Sequence, residues 1–389
     1  MKKIYLDNSA TTPISEAALN KYVEASREYF ANPSSLHTLG ADAEREIKGV
    51  RARVLSSLGV REGGIIFTAS GSEANNLAIL GRAYAKERYK KGAKIITTEG
   101  EHASVTEPLE RLRREGYEIA YIPTKGGRLD LLSLERELTP GTVLVTMMMV
   151  NNETGALYDI AEAARLVHSL APEALFHVDA TQSYMKMPTN ARLLGADMMT
   201  LSSHKIHGPK GVGALYVKAE VLKTRPLAPI IYGGGQEMGL RSGTENVPAI
   251  LAFGTAVDEG ARTLAASFEK MNEMRDYLIE KLTRVEALRE LSPTLPPLHA
   301  PHILNITLPS IKSETMLHYL SGEGMYVSRG SACSSNAPHV SRALVAYGRS
   351  EREADCSIRI SLARNTEREE IDALCRALEA GLLRLARIR

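Results

Sequence analysis

Between about residues 15 and 255 the chain alternates short apolar runs with amphipathic stretches, and this alternation constrains the fold more than any other feature. The runs are "GIIFT", "AKIITTE", "TVLVTMMMV", "ALFHVDA", "ADMMTLS" and "GVGALYV". Stretches with helical spacing, such as "VTEPLERLRREG" and "DIAEAARLVHSLAPEA", fall between them. Runs of strand length linked by helical repeats predict a mainly parallel sheet covered by helices, an α/β domain. After Gly254 the pattern gives way to one long helical stretch, "DEGARTLAASFEKMNEMRDYLIEKLTRVEALREL", which stops at the proline-rich "SPTLPPLHAP". The expected organisation is a large domain over 15–255 and a smaller α+β domain built from 1–14 and 256–389.

Composition narrows the class of partner. Lys and Arg number 48 against 46 Asp and Glu, a formal charge of +2, so no basic field is available for nucleic acid. No apolar stretch approaches the ~18 residues of a membrane helix. Asp7 interrupts the N-terminal region before a signal core can form, and a cytoplasmic location is expected. The three cysteines are too few and too irregular for a disulfide framework or a zinc site. Cys375 belongs to a helical apolar pattern and Cys356 precedes the alternating "SIRIS", so both read as core. Cys333 differs: it stands in "VSRGSACSSNA", with nothing greasy around it.

In an open α/β sheet, ligands bind beyond the carboxyl ends of the strands. The residues directly after each apolar run are therefore the informative ones. "GIIFT" leads into "ASGSEANN", "AKIITTE" into "GEHAS", "TVLVTMMMV" into "NNETG", "ALFHV" into "DATQS" and "ADMMTLS" into "SHKIHGPKG". One sheet edge thus collects Ser72, His102, Asn152, Asp179, Gln182, His204 and Lys205. Gly71 allows close approach of a ligand, and Ser72 with the amides of a helix start suits a phosphate; a helix-capping role explains Ser72 equally well. Asp179, at the end of an apolar strand, calls for a positive or hydrogen-bonding partner such as a protonated pyridine nitrogen. The histidines around Lys205 lack the carboxylate or thiolate that would complete a metal site, and no metal is expected. A phosphate cradle, an acid, an imidazole and a lysine on one edge match the demands of pyridoxal 5'-phosphate.

These motifs, with "YLDNSATTP", "NPSSLH", "EHASV", "GGGQEMGLRSGTEN", "SRGSACSS" and "SIRIS" in the same order, resemble the cysteine desulfurases. These are pyridoxal phosphate enzymes of the class V aminotransferases. The resemblance implies the fold type I architecture of pyridoxal phosphate-dependent transferases: a mainly parallel seven-stranded sheet plus a smaller α+β domain. It implies that Lys205 tethers the cofactor, His102 stacks on the ring and assists proton transfer, Asp179 pairs with the ring nitrogen and Gln182 meets the ring hydroxyl. Gly71, Ser72, Ser202 and His204 would hold the phosphate, with Asn152 also at the cofactor. Thr244 would reach the phosphate site of a second copy, which implies a homodimer. Asn32, Asn152 and Arg359 would bind the carboxylate of L-cysteine, a task that suits the planar fork of arginine. Cys333 would take the sulfur as a persulfide, leaving L-alanine, and pass it to an acceptor such as an iron-sulfur scaffold or a tRNA thiolation protein. Arg329 or a site histidine is expected to favour its thiolate. Two rivals stay open here: a selenocysteine lyase or aminotransferase of the same fold, and a catalytically silent sulfur carrier.

Overall fold

A computed structural model describes residues 3–85, 93–224, 227–330 and 340–385. Strand β1 (Ile4–Tyr5) is followed by β2 (Gly64–Thr68), β3 (Lys94–Thr98), β4 (Glu118–Ile122), β5 (Thr142–Met148), β6 (Leu175–Asp179), β7 (Met198–Ser202) and β8 (Gly213–Val217). The last seven form one sheet in the order β2-β8-β7-β6-β5-β3-β4. Only β8 runs against the others, pairing antiparallel with β2 and β7. Every residue of β2, β3, β5, β7 and β8 is buried, which is why each reads as an unbroken apolar run. Strand β4, at the sheet edge and mostly half-exposed, lacks such a run and escapes a reading by hydrophobicity. Because β2, β3, β5, β6 and β7 share a direction, their carboxyl ends lie on one edge.

The long helix starts at Val247, well before the amphipathic pattern, and runs to Arg284. Asn246 caps it, accepting from the Ala249 amide at 3.3 Å. Its first residues, "VPAILAFGTAV", are buried almost throughout in the core of the large sheet, so no polar face marks them as helix. Its far end contributes Met274, Leu278 and Leu282 to a second core. That core is completed by β9 (Ser292–Thr294), β10 (Ile303–Thr307) and β12 (Ser357–Ser361), an antiparallel sheet in the order β12-β10-β9, and by the helix Arg368–Arg384. Strand β11 (Met325–Tyr326) pairs parallel with β1, and the chain then bridges from Asp7 to Ser361 of β12. One helix and one N-terminal strand thus join the two cores. Cys356 and Cys375 are both buried and unpaired.

The exposed edge of the large sheet is covered by an ion pair. Arg51 meets Glu237 through two bonds of 2.7 Å, and the same carboxylate accepts the outward amide of Phe67 in β2 at 2.8 Å. Arg51 also donates to the Ile65 carbonyl on that edge. Glu237→Ala removes the anion, leaves the guanidinium with the Ile65 carbonyl but no countercharge, and orphans the edge amide. We expect a loss of about 3 kcal/mol or more in chemical denaturation, because breaking a buried pair strands its partner.

Candidate active site

A cleft opens where the carboxyl ends of the parallel strands meet β12. Asp179 closes β6 and is 6% exposed. Its carboxylate accepts from Asn75 Nδ2 at 2.8 Å and from the Thr181 amide at 2.9 Å. Among the described residues no cationic side chain forms an ion pair with it. A buried anion held only by neutral donors is set up to receive a cation. Asn75 also reaches Ser104 Oγ at 2.8 Å, while its own Oδ1 is buried without a partner.

Gly71 opens the helix Gly71–Tyr84. The cap of this helix is Ser70, whose Oγ accepts from the Glu73 amide at 3.1 Å. Ser72 is therefore free of capping duty and exposed at the cleft, alongside Ser202 at the end of β7. A Cβ on Gly71 would lie 3.2 Å from that of Ser202, so glycine keeps this corner open. His204 and Lys205 share one 3-10 turn directly after β7. His204 Nδ1 lies 3.1 Å from Thr11 Oγ1, and burial followed by the charges of Lys205, Lys210 and Lys186 pushes its pKa down to about 4. It is neutral at pH 7 and serves as a hydrogen-bonding group. Lys205 Nζ donates to the carbonyls of Ser9 at 2.5 Å and Ala10 at 2.8 Å.

His102 caps the helix Ala103–Arg114, its Nδ1 accepting from the Ser104 amide at 3.1 Å. An amide can only donate, so the neutral ring carries its proton on Nε2. Burial lowers its pKa despite the nearby Asp179. Gln182 Nε2 donates to the Ser9 carbonyl at 3.0 Å. Arg359, 2% exposed in β12, donates from Nη1 to the Asn152 carbonyl at 2.8 Å and from Nη2 to Asp7 Oδ1 at 2.9 Å; its Nε is buried without a partner. The ion pair with Asp7 fixes the guanidinium at the cleft wall, where its remaining hydrogens suit an anion. Burial raises the pKa of Asp7, against the opposing pull of Arg359 and Lys205.

The cleft thus gathers Gly71, Ser72, His102 and Asn152 with Asp179, Gln182, Ser202, His204, Lys205 and Arg359. It does not gather Asn32 or Thr244 of the same chain. Asn32 lies in an exposed turn, accepting from the Ser34 amide at 2.9 Å, and Thr244 is exposed in a separate groove beside Phe67 and Arg241. Cys333 lies outside the described residues. On either side of that segment, Gly330 and Ser341 converge on buried Glu153: Ser341 Oγ donates to it at 2.5 Å, and a Cβ on Gly330 would fall 2.5 Å from the same carboxylate. Arg329 is half-buried just before. Among the described residues no group of three or more His, Cys, Asp or Glu is placed to hold a metal, and no helix is long and apolar enough to cross a membrane.

Sequence reasoning missed Asp7, Ser9, Ala10 and Asn75. Asn75 had a legible signal, since it stands four residues after Gly71 and so on the same helix face. The N-terminal trio had a weaker one, a polar run directly after a two-residue strand.

The family profile for class-V aminotransferases matches residues 4–374. "Cysteine desulfurase IscS 1" of Archaeoglobus fulgidus is 35% identical over 382 residues, spanning 98% of this chain and 97% of that protein. A solved "NIFS-LIKE PROTEIN" superposes with a TM-score of 0.90 at 34% identity, over 99% of this chain and 100% of the other. The structure described as "SspA in complex with cysteine" superposes with a TM-score of 0.81 at 32% identity, over 94% and 100% of the two chains.

Proposed function

The chain belongs to the class-V aminotransferase family as a pyridoxal phosphate-dependent cysteine desulfurase, and from that premise we propose which of its residues perform the reaction. The observation that carries the assignment is the convergence of Asp179, Lys205 and Arg359 on one cleft. The donor set suits the cofactor: Asp179 offers a buried carboxylate held by neutral donors, Lys205 an amine in the same cleft, and the start of the Gly71 helix an anion site with Ser72, Ser202 and His204 around it. When bound, pyridoxal phosphate supplies an electron-withdrawing ring that labilises bonds at an amino acid's α carbon.

Around it, Asp179 would hold a ring proton, Gln182 would meet the ring hydroxyl, and His102 would cover the ring with a neutral imidazole. Lys205 would tether the cofactor and move the α proton. Arg359 and Asn152 would bind the carboxylate of L-cysteine. Cys333 then attacks the substrate sulfur as a thiolate: a sulfur–sulfur bond forms, the carbon–sulfur bond breaks, and its electron pair stays on carbon, where a proton completes L-alanine. One cysteine and one enzyme thiol become one alanine and one persulfide, with no external oxidant. The sulfur passes to an acceptor protein, an iron-sulfur scaffold or a tRNA thiolation protein. Exposed Thr244, with Tyr232 79% and Met238 55% exposed in the preceding segment, supports a homodimer in which Thr244 serves the partner's site.

Mass spectrometry after exposure to L-cysteine tests both parts. Native spectra are expected at twice the chain mass. A digest without reductant is expected to show one added sulfur atom on the peptide containing Cys333. A monomer would remove the shared-site reading, and an unmodified peptide alongside alanine release would remove the persulfide.

A further inference from the structure

Lys186 lies outside the cleft's lining, yet a continuous line of hydrogen bonds joins it to Lys205. Its Nζ donates to Gln182 Oε1 at 3.0 Å; Gln182 Nε2 donates to the Ser9 carbonyl at 3.0 Å; the same carbonyl accepts Lys205 Nζ at 2.5 Å. The ends of this line leave Gln182 one orientation. The Ser9 carbonyl has only lone pairs to offer, so the amide must turn its nitrogen to Ser9, and its oxygen then faces Lys186, which donates to it.

Lys186 is 8% exposed, and among the described residues it forms no ion pair. Among the described residues the charged and titratable groups around it are Lys205, Arg359, Arg364, His204, His207 and His302, none of them acidic. Burial, then the charges of Lys205 and Arg359, hold its pKa well below the ordinary lysine value. A methionine would fill the same volume without the desolvation. What an apolar side chain cannot do is hold the amide oxygen.

We propose that Lys186 is a positioning residue for the cofactor site, acting through Gln182: it locks the amide so that Nε2 faces the Ser9 carbonyl and the ring-binding side of the cleft. This rests on the roles assigned above to Gln182 and Lys205. Without Lys186 the buried Oε1 loses its donor, and the amide can rotate toward another one.

A double-mutant cycle with Lys186→Met and Gln182→Leu tests it, read by pyridoxal phosphate affinity of the apoprotein and by the midpoint of the pH titration of the visible band in the holoenzyme. Lys186→Met alone is expected to weaken the cofactor about tenfold, as loss of one buried hydrogen bond predicts. It is also expected to move the midpoint by about half a unit or more. In the Gln182→Leu background the same substitution is expected to change affinity by less than about twofold, because residues acting as a unit are not additive. Lys186→Leu carries the cycle if the methionine variant does not fold. A Lys186→Met protein that matches wild type, or an undiminished effect in the leucine background, overturns the proposal. Borohydride reduction and peptide mapping keep the premise separate: label on Lys205 leaves the site reading intact whatever Lys186 does, and label elsewhere removes that reading itself.

Discussion

Lys205→Ala is expected to cut desulfuration of L-cysteine by at least about a thousandfold, since it deletes both a covalent tether and a proton carrier. The turn that presents the lysine does not depend on its side chain. Ile206 and Gly208 donate their amides to the Ser203 carbonyl at 3.0 and 3.1 Å, and the His204 carbonyl accepts from the Thr12 amide at 2.9 Å. Thermal unfolding of the apoprotein should therefore stay close to wild type while the visible cofactor band and alanine release disappear. Lys205→Arg adds a control. It keeps a cation beside the Ser9 and Ala10 carbonyls but cannot tether, so it is expected to be as inactive as the alanine variant. An alanine variant with more than about a tenth of wild-type turnover would mean another group does this work.

Much of that arrangement is written locally in the chain. The strands buried on both faces announce themselves, and because ligands gather at the carboxyl ends of parallel strands, the residues after each run are enough to bring His102, Asn152, Asp179 and Lys205 to one edge. The illegible parts depend on distant contacts. β4 is an edge strand and needs no unbroken apolar run. The first turns of the long helix are buried on all sides, so they carry no period to read. Whether Ser72 caps its helix cannot be told from the residues, since Ser70 stands two places away with the same hydroxyl. The grip of Asp7 on Arg359 spans most of the chain and is set by the register of β12 against the N-terminal segment. Arg359 itself is reached through resemblance to a family, because an arginine inside "SIRIS" has no local mark of function.

Cys333→Ser should separate loosening the sulfur from collecting it. Serine keeps the size and polarity of the position, but an alcohol is scarcely ionised at neutral pH and cannot hold sulfur as a persulfide. The variant is expected to keep the visible cofactor band and its spectral response to L-cysteine, both of which depend on Lys205, Asp179 and Arg359. Alanine release should fall by about a hundredfold or more, the scale of losing a positioned nucleophile. The wild-type thiol must also be partly ionised, against an ordinary pKa of about 8.5. Half-buried Arg329 is the cation nearest to it in sequence, and Gly330 directly after it takes a φ of +38° beside buried Glu153. Arg329→Ala is accordingly expected to shift the pH midpoint of Cys333 alkylation upward, and an unmoved midpoint would pass that duty to a site histidine. If the serine variant instead released alanine at the wild-type rate, the thiol would be dispensable and the protein would act as a lyase on the same scaffold. The cleft would then complete the chemistry without a carrier, and sulfur would leave at the oxidation state of the element, or as sulfide where an added thiol supplies the two electrons.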